Sequence, residues 1–375
     1  MAAEERAAPN QGPQHSRSLL GAVVFLTVIG LLVIYTSSSI PAWQKFGDSL
    51  YFFRKQAMVA CVGFFLIFVI CRVPARWLEL MTLPLLLMSI ALVGLTMVPG
   101  IRHAANGATR WISLGGFTFQ PVELLKLGVI LFLSRNLGRP TMQINSLHRG
   151  LLPNLFVVCI PAALLMLQPD FGSTFLLLIL VFLMFFVAGL SPAWTATGAV
   201  VFSGAVVFAL WQAPYRMARL LSFLDPWKDV QRGGFQIIQS YLGFQNGGLL
   251  GVGLGESRQK LYFLPEAHTD FILAVIGEEL GLIGVVTVIA TFFYVAWLGH
   301  KITENQRETR KRFLGFGLTS LIALQACLNM GVAMGLLPTK GMPLPFVSSG
   351  SSSLIVFLVA TGLLARLGFE AAEEE

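Results

Sequence analysis

The stretch LLGAVVFLTVIGLLVIYTSSSI, residues 19–40, carries no charged side chain. About 20 apolar residues are needed for a helix to cross a bilayer, and a signal-peptide core is shorter than this run. We therefore predict a retained membrane helix here. The whole chain has a similar character, with 12% charged residues against roughly 25% in soluble domains. These features indicate a polytopic membrane protein.

Nine further apolar runs repeat this pattern along the chain. The ten predicted spans are Leu19–Ile40, Gln56–Cys71, Leu80–Val98, Phe117–Leu133, Leu151–Leu167, Phe171–Leu190, Ser191–Trp211, Phe271–Leu298, Phe313–Leu337 and Ser349–Ala365. We predict an all-α polytopic integral membrane protein with about ten transmembrane helices. One long extracytoplasmic loop, 212–269, separates the seventh helix from the eighth. The membrane domain, 19–369, lies between a disordered tail, 1–18, and an acidic tail, 370–375.

The distribution of basic residues predicts the orientation. Lys and Arg are more frequent in the loops that would be cytoplasmic with the N-terminus inside, including Lys301, Arg307 and Arg310, than in the short outer loops. The positive-inside rule therefore places both termini in the cytoplasm. The net charge of +7 is explained by this bias and by contact with anionic membrane lipids, so we expect no nucleic-acid partner. The four cysteines have neither metal-site nor disulfide spacing.

The long loop contains two distinct patterns. Residues 215–224, YRMARLLSFL, place Arg216 one turn from Arg219 beside apolar side chains, which predicts a short amphipathic helix at the interface. The glycines between Gly243 and Gly255 predict tight turns rather than helix. The loop then ends in GESRQKLYFLPEAHTDFILAVIGEELG, 255–281, where polar residues crowd the start of an apolar helix.

Asp270 in this stretch is open to two interpretations. Thr269 or Asp270 could cap the following helix, whose positive dipole end favours a carboxylate. Alternatively, Asp270 is a general base at the outer membrane surface, and His268, Arg258 and Lys260 hold an acidic substrate. The two interpretations are compatible, because a capping carboxylate can also accept a proton.

Ionisable residues inside the predicted spans form a second set of candidates. Glu123 and Lys126 lie three residues apart and share one helix face. They could serve function directly or form a structural ion pair inside the bundle. Glu278 and Glu279 are adjacent about two turns into the eighth span, so at least one needs a cation, a water-filled cavity or a proton.

The short outer loops add further polar candidates. Arg110 stands beside Trp111, which could instead be an interfacial anchor. Lys340 lies between prolines and could bind phosphate or simply be solvated. Gln168 and Asp170 occupy a short turn where capping of the next helix is the simple explanation. With Arg216, the outer face combines one candidate base with many cations, which suits a large anionic, lipid-linked substrate.

Four segments carry a family resemblance. They are NGATRWISLGGFTFQPVELLKL (106–127), QPDFGS (168–173), GVGLGESRQKLYFLPEAHTDFILAVIGEELG (251–281) and GLLPTKGMPLPFVSSGSSS (335–353). In this order they resemble the SEDS family (shape, elongation, division and sporulation proteins), and within it the cell-division branch more than the elongation branch. One departure is clear. Where the family usually has SYGGSS, this chain has SSGSSS, with Ser349 and Ser351 replacing Tyr and Gly.

The resemblance implies a glycosyltransferase that polymerises lipid II into peptidoglycan strands outside the cytoplasmic membrane, at the division septum. The family's essential aspartate falls on Asp270, its Arg–Trp pair on Arg110 and Trp111, and a branch-specific lysine on Lys340. The expected mechanism is inverting, with Asp270 as general base. A divalent cation, Mg or Mn, could assist, and no organic cofactor is expected.

The resemblance also implies partners and leaves alternatives. Besides lipid II and the nascent glycan strand, a class B penicillin-binding protein would supply the transpeptidase, together with other division proteins. A lipid II flippase is the main alternative, because ionisable residues within spans line transport paths. An elongation-type polymerase and a non-catalytic scaffold are the others.

Overall fold

The computed structural model describes residues 11–98, 102–105, 108–114, 117–212, 214–230, 233–257 and 268–373. Helices dominate this part of the chain. They are α1 (Gly12–Phe46), α2 (Tyr51–Ile70), α3 (Ala75–Leu95), α4 (Pro121–Leu137), α5 (Leu152–Leu167), α6 (Phe171–Val187), α7 (Pro192–Gln212), α8 (Pro214–Leu224), α9 (Gly233–Gly247), α10 (Ile272–Glu304), α11 (Thr309–Ala333) and α12 (Ser351–Glu373). A π-helical turn, Leu147–Leu151, precedes α5, and a 3₁₀ turn, Pro226–Asp229, follows α8.

A helix lies over each of the ten predicted spans, which confirms a polytopic helical membrane protein. Within the described residues, eight helices are long and apolar enough to cross a bilayer, and α6 is a shorter apolar helix. The seventeen-residue α4 is not among these helices, and it carries Glu123, Lys126 and Arg135. The number of crossings therefore stays a prediction.

Two of the predicted boundaries at the chain ends change. Helix α1 begins at Gly12, so the helix starts inside the segment predicted as a disordered tail. Helix α12 continues to Glu373, which includes most of the predicted acidic tail. Within α12, Arg366 Nε donates to Glu370 Oε1 at 2.5 Å, one helical turn away. This pairing explains why the helix extends beyond the apolar run.

Helix α12 forms the centre of the bundle and packs against α1, α2, α4, α10 and α11. Almost every residue of α12 from 352 to 368 is buried, as expected for a helix surrounded by others. Helices α2, α3 and α7 instead expose many apolar side chains, among them Phe65 on α2, Leu87 on α3 and Val200 on α7. These outward faces meet lipid in a membrane protein.

The segment between α3 and α4 contains a small antiparallel sheet that the sequence did not predict. Its strands are β1 (Arg102–Ala105), β2 (Ala108–Leu114) and β3 (Phe117–Phe119), in the order β1-β2-β3. Ile112 pairs with Phe119 and Leu114 with Phe117. The predicted span Phe117–Leu133 was therefore wrong at its start, because these residues form a strand and the helix begins at Pro121. Proline is favoured at a first helical position.

The long loop is also more ordered than expected. The amphipathic segment forms α8, as predicted. The interpretation of all its glycines as turns was wrong for Gly243 and Gly247, which lie in α9. A side chain at Gly247 would lie 1.9 Å from the carbonyl oxygen of Gly277, so the absence of Cβ lets α9 approach the backbone of α10. Close packing therefore outweighs the low helix propensity of glycine.

Helix α10 is interrupted at Gly281, whose φ of 66° lies in the left-handed region. The break frees backbone groups that the loop after α9 then satisfies. The N–H groups of Val252 and Gly253 donate to the carbonyls of Glu278 and Glu279, at 2.9 and 3.1 Å. The N–H of Leu282 donates in turn to Gly248. The loop is thus joined to α10 by backbone hydrogen bonds in both directions.

Candidate active site

A cavity of about 880 Å³ lies at one end of the bundle, beneath the long loop. Its walls come from β2, the starts of α6 and α12, helices α8 and α9, the turn before α10 and the loop between α11 and α12. Six predicted site residues line it: Arg110, Trp111, Asp170, Arg216, Asp270 and Lys340. The cavity thus brings together candidates from five separate parts of the sequence.

Asp270 lies in the turn immediately before α10, one residue outside the N-cap, which is Phe271. The capping interpretation therefore placed the helix start one to two residues too early. Asn329 Nδ2 donates to the Asp270 carbonyl at 2.9 Å and to the Met342 carbonyl at 2.6 Å. A Cβ on Gly341 would lie 3.2 Å from Asp270 Oδ2, so the carboxylate faces the loop between α11 and α12.

The turn that carries Asp270 is also fixed to the segment before α12. Ser348 Oγ donates to the Thr269 carbonyl at 2.5 Å, and the Ser349 N–H donates to the His268 carbonyl at 2.9 Å. Gln56 holds the same segment from α2, since its Nε2 donates to the Ser348 carbonyl at 3.1 Å. The backbone of the turn that carries Asp270 is therefore held by hydrogen bonds from α11 and from the segment before α12, and these bonds restrict the position of Asp270.

Arg110 and Asp170 meet on the wall formed by β2 and the α5–α6 turn. Arg110 Nη1 lies 3.9 Å from Asp170 Oδ1, and Nη2 donates to the Pro169 carbonyl. Asp170 also caps α6, because its Oδ1 accepts from the Ser173 N–H at 3.3 Å. Of the described residues, none provides a hydrogen-bond partner for Asp170 Oδ2 or Arg110 Nε. The pair therefore retains donor and acceptor capacity.

Lys340 lies across the cavity, over two aromatic rings of α6. Its Nζ is 3.8 Å from the Phe175 ring centroid and 5.5 Å from that of Phe171. Burial lowers the pKa of Lys340 to about 8, since desolvation disfavours its charged form. No carboxylate in the described parts of the chain forms an ion pair with it. An anionic ligand would supply the missing countercharge.

Helix α8 supplies further cations to the cavity wall. Arg216 Nη1 donates to the Ala209 carbonyl at 2.9 Å, and its guanidinium lies 5.4 Å from the Phe171 ring centroid. Arg219, one turn further on, also lines the cavity and is exposed. With Arg110 and Lys340, these residues place four cationic side chains around the same volume as Asp270. Such a wall favours a ligand with several negative charges.

Glu123 and Lys126 form the buried ion pair that the sequence allowed, with 2.9 Å between Lys126 Nζ and Glu123 Oε2. Lys126 Nζ also donates to Gln325 Oε1 at 2.5 Å, and Gln325 Nε2 donates to the Pro343 carbonyl at 3.0 Å. Neither charged residue lines the cavity. The pair instead connects α4 through α11 to the loop that bears Lys340.

Glu278 and Glu279 point to different partners, as adjacent carboxylates must. Glu278 accepts from Ser257 Oγ and from Asn246 Nδ2, the latter at 3.4 Å. Glu279 Oε2 accepts from Thr36 Oγ1 at 2.8 Å. These contacts join α10 to the long loop and to α1, and neither carboxylate lines the cavity.

The other predicted site residues lie elsewhere. The His268 ring packs 5.4 Å from Phe52, outside the cavity wall. Gln168 Nε2 donates to the Val93 carbonyl at 2.8 Å and fixes the α5–α6 turn to α3. Arg258 and Lys260 lie outside the described residues. At the departure from the family pattern, Ser349 lines the cavity, and Ser351 begins α12 without a left-handed backbone.

Sequence reasoning missed Asn329 and Gln325, which position the turn of Asp270 and the loop of Lys340. Both are buried on α11, one turn apart on the same face. Two amide side chains four residues apart within an apolar helix could have indicated their role, because buried polar side chains require hydrogen-bond partners. Their partners are backbone carbonyls distant in sequence, which no spacing reveals.

Two carboxylates of this cavity bear on whether it suits a divalent cation. The described residues contain no cluster of three potential metal-binding side chains. Asp270 and Asp170 nevertheless line the same cavity, and Asp170 Oδ2 is buried without a partner. Magnesium is commonly held by one or two carboxylates together with substrate phosphates. The two aspartates therefore fit a cation bound with a pyrophosphate.

The fold and the cavity define a polytopic integral membrane protein with a cationic, carboxylate-bearing site at one end of its helices. The chain belongs to the FtsW/RodA/SpoVE family of cell cycle proteins, whose model matches residues 17–373. A probable peptidoglycan glycosyltransferase FtsW from Geobacter metallireducens is 42% identical over 92% of this chain and 92% of its own length. Stage V sporulation protein E from Bacillus subtilis is 39% identical, over 92% of this chain and 94% of its own length.

Solved structures agree with this family. A chain from a peptidoglycan synthase complex, described for its structural coordination of polymerization and crosslinking, matches with a TM-score of 0.78 at 28% identity. The match covers 94% of this chain and 97% of that one. An alanine-for-aspartate mutant of RodA from Thermus thermophilus matches with a TM-score of 0.69 at 25% identity, over 94% and 97% of the two chains.

Proposed function

We propose that this protein is a glycosyltransferase that polymerises lipid II into peptidoglycan strands at the outer face of the cytoplasmic membrane. The observation that carries this proposal is the shared cavity, in which Asp270 is surrounded by Arg110, Arg216, Arg219 and Lys340. A base within a cationic pocket suits transfer from a pyrophosphate-linked sugar. The names of the similar proteins support the same reaction.

In the proposed reaction, the Asp270 carboxylate takes the proton from the 4-hydroxyl of the acceptor sugar. The hydroxyl oxygen then forms a bond to the anomeric carbon of the donor strand. The bond from that carbon to the pyrophosphate oxygen breaks, and undecaprenyl pyrophosphate leaves with the electron pair. A single displacement inverts the anomeric centre without a covalent enzyme intermediate.

The cationic wall would stabilise the leaving pyrophosphate. Arg110 contacts Pro169 and Asp170 just before α6, and Arg216 and Lys340 lie 5.4 and 5.5 Å from the ring centroid of Phe171, the first residue of α6. Preorganised charges at the site of developing negative charge lower the barrier without reorganisation during the reaction. A divalent cation held by Asp270 or Asp170 would supply further charge neutralisation for the pyrophosphate.

The cellular context is part of the same proposal. Both termini would lie in the cytoplasm, and the enzyme would act at the division septum. A class B penicillin-binding protein would supply the crosslinking activity, with other division proteins alongside. The support is the FtsW-like sequence and the similarity to a chain from a complex that coordinates polymerization with crosslinking.

Replacing the base tests the mechanism directly. Asp270→Asn keeps the size of the side chain but removes its proton-accepting group. One general base contributes about 10²–10⁴-fold in rate. The purified variant, assayed with its transpeptidase partner, should bind lipid II normally and produce glycan at least about 100-fold more slowly. The assay separates labelled glycan strands by length.

Asp225→Asn is the matched control, since this exposed aspartate pairs with Lys228 outside the cavity. It should polymerise at the wild-type rate. Near-normal polymerisation by Asp270→Asn would contradict the assignment of the base.

The flippase alternative makes a different prediction in liposomes. Lipid II supplied only in the outer leaflet should yield glycan if the protein polymerises there, and no transfer between leaflets is required. A flippase would instead move labelled lipid II without producing glycan. A scaffold would do neither. The buried Glu123–Lys126 pair, away from the cavity and engaged with Gln325, favours the polymerase.

A further inference from the structure

A second, smaller cavity lies at the opposite end of the bundle. It has a volume of about 60 Å³ and lies where the starts of α3 and α11 meet the ends of α4 and α12. Water in the liquid occupies about 30 Å³ per molecule, so this cavity has room for a small polar group only. The charged residues of its wall are Glu79, Arg135, Arg310, Lys311, Arg366 and Glu370.

Arg310 is the centre of the first half of this wall. It forms an ion pair with Glu79, and its Nε lies 3.6 Å from Glu308, which is outside the wall. Arg135 Nη1 donates to the Glu79 carbonyl at 3.2 Å. A Cβ on Gly138 would lie 2.6 Å from the Arg310 Cα, so a glycine at the end of α4 allows this arrangement.

The second half of the wall is built around Glu370. Arg366 Nε lies 2.5 Å from Glu370 Oε1, and Lys311 Nζ lies 3.3 Å from Glu370 Oε2. The whole wall therefore contains four cationic residues against two carboxylates, an excess of two positive charges. With Glu308 included, these described residues still carry a net charge of +1.

The rest of the wall is apolar, and its opening adjoins a surface that faces lipid. Five leucines line the cavity: Leu78, Leu131, Leu314, Leu363 and Leu367. Next to Leu78 and Glu79 on α3, the side chains of Trp77, Leu80 and Met81 are 50–60% exposed. Tryptophan is characteristic of the boundary between head groups and acyl chains. A ligand here would contact charged side chains and apolar side chains at the same time.

We propose that this cavity binds the phosphate of an anionic phospholipid head group, with an acyl chain lying outside the cavity along the exposed face of α3. Basic pockets between membrane helices have the chemistry that anionic lipid head groups require. The arginines supply directed donors for phosphate oxygens, and an anion is attracted by the net positive charge of the described wall residues. This site is separate from the proposed glycosyltransferase reaction and does not depend on it.

The first test uses the full-length wild-type protein, purified and delipidated in detergent. Native mass spectrometry measures the affinity for phosphatidylglycerol and for phosphatidylcholine with identical acyl chains. We expect at least tenfold tighter binding of phosphatidylglycerol, and no displacement of it by millimolar inorganic phosphate. Equal affinity for the two lipids would overturn the proposal, and displacement by inorganic phosphate would show that the ligand is a free anion.

Variants then locate the binding. Arg135→Gln and Arg310→Gln should each weaken phosphatidylglycerol binding about fivefold, the effect of one basic residue near an anionic membrane. Arg307→Gln is the matched control, because it removes the same charge from an exposed residue just before α11 and outside the cavity. It should leave the affinity unchanged. A loss in the control equal to that in the two variants would contradict a defined site.

Gly138→Ala separates geometry from charge. The added methyl group would collide with the Arg310 backbone and displace this residue while the net charge stays constant. Binding of phosphatidylglycerol should therefore fall although thermal unfolding shows a folded protein. Unchanged binding in this variant would show that attraction is a general property of the basic surface and would overturn the proposal.

Discussion

Raising the pH should weaken substrate capture through Lys340. With a pKa of about 8, the charged fraction of this side chain falls from about 91% at pH 7 to about 9% at pH 9. The cation is present below the pKa and lost above it. If Lys340 holds the pyrophosphate, kcat/KM for lipid II should fall about tenfold over this interval, because this ratio reports ionisation of the free enzyme.

The assay measures glycan formation as a function of lipid II concentration at each pH. Lys340→Arg is the control, since a guanidinium stays charged throughout this range. The kcat/KM of this variant should not show the tenfold fall attributed to Lys340. Any pH dependence that arises from the substrate should remain. Lys340→Met should show low kcat/KM at every pH. An identical fall in wild type and in Lys340→Arg would refute the role of this lysine.

Three further substitutions test the supports of the site. Asn329→Ala removes the donor that holds the Asp270 and Met342 carbonyls, so kcat should fall more than KM rises, as steady-state kinetics would show. Lys126→Met leaves Glu123 buried without its partner and should cost about 3–5 kcal/mol of stability, whereas adding Glu123→Gln should restore much of the loss in thermal unfolding. Gly281→Ala forces a left-handed backbone, which costs about 1–2 kcal/mol, and places a methyl group 2.4 Å from the Gly251 nitrogen, so the melting temperature should fall by several degrees.

The sequence predicted the helices of the bundle because long apolar runs have few alternatives in a membrane. It missed α9 for a reason that lies outside local sequence. Gly247 disfavours helix by its own propensity, yet it permits contact with the Gly277 carbonyl of α10. Strand β3 was missed because Phe117 looks like the start of the apolar run that follows it. Only the pairing of β3 with β2 in the folded structure shows that Phe117 belongs to a strand.

The composition of the cavity was partly predictable. Arg110, Asp270 and Lys340 are polar residues in loops predicted to lie outside, and their types indicated anion binding and proton transfer. Their common cavity was not predictable from spacing, since more than one hundred residues separate Arg110 from Asp270 in the chain. His268 shows the opposite error. It is two residues from Asp270, but the turn directs its ring to Phe52 and away from the cavity.

The break in α10 at Gly281 has a mechanical consequence. Before the break, the helix begins beside Asp270, and the carbonyls of Glu278 and Glu279 accept hydrogen bonds from the N–H groups of Val252 and Gly253. The same loop also accepts from the N–H groups of Leu282 and Ile283 on the other side of Gly281, so it bridges the break and ties both parts of α10 together. A displacement of the loop would therefore be transmitted along the start of α10 to the position of the Asp270 carboxylate.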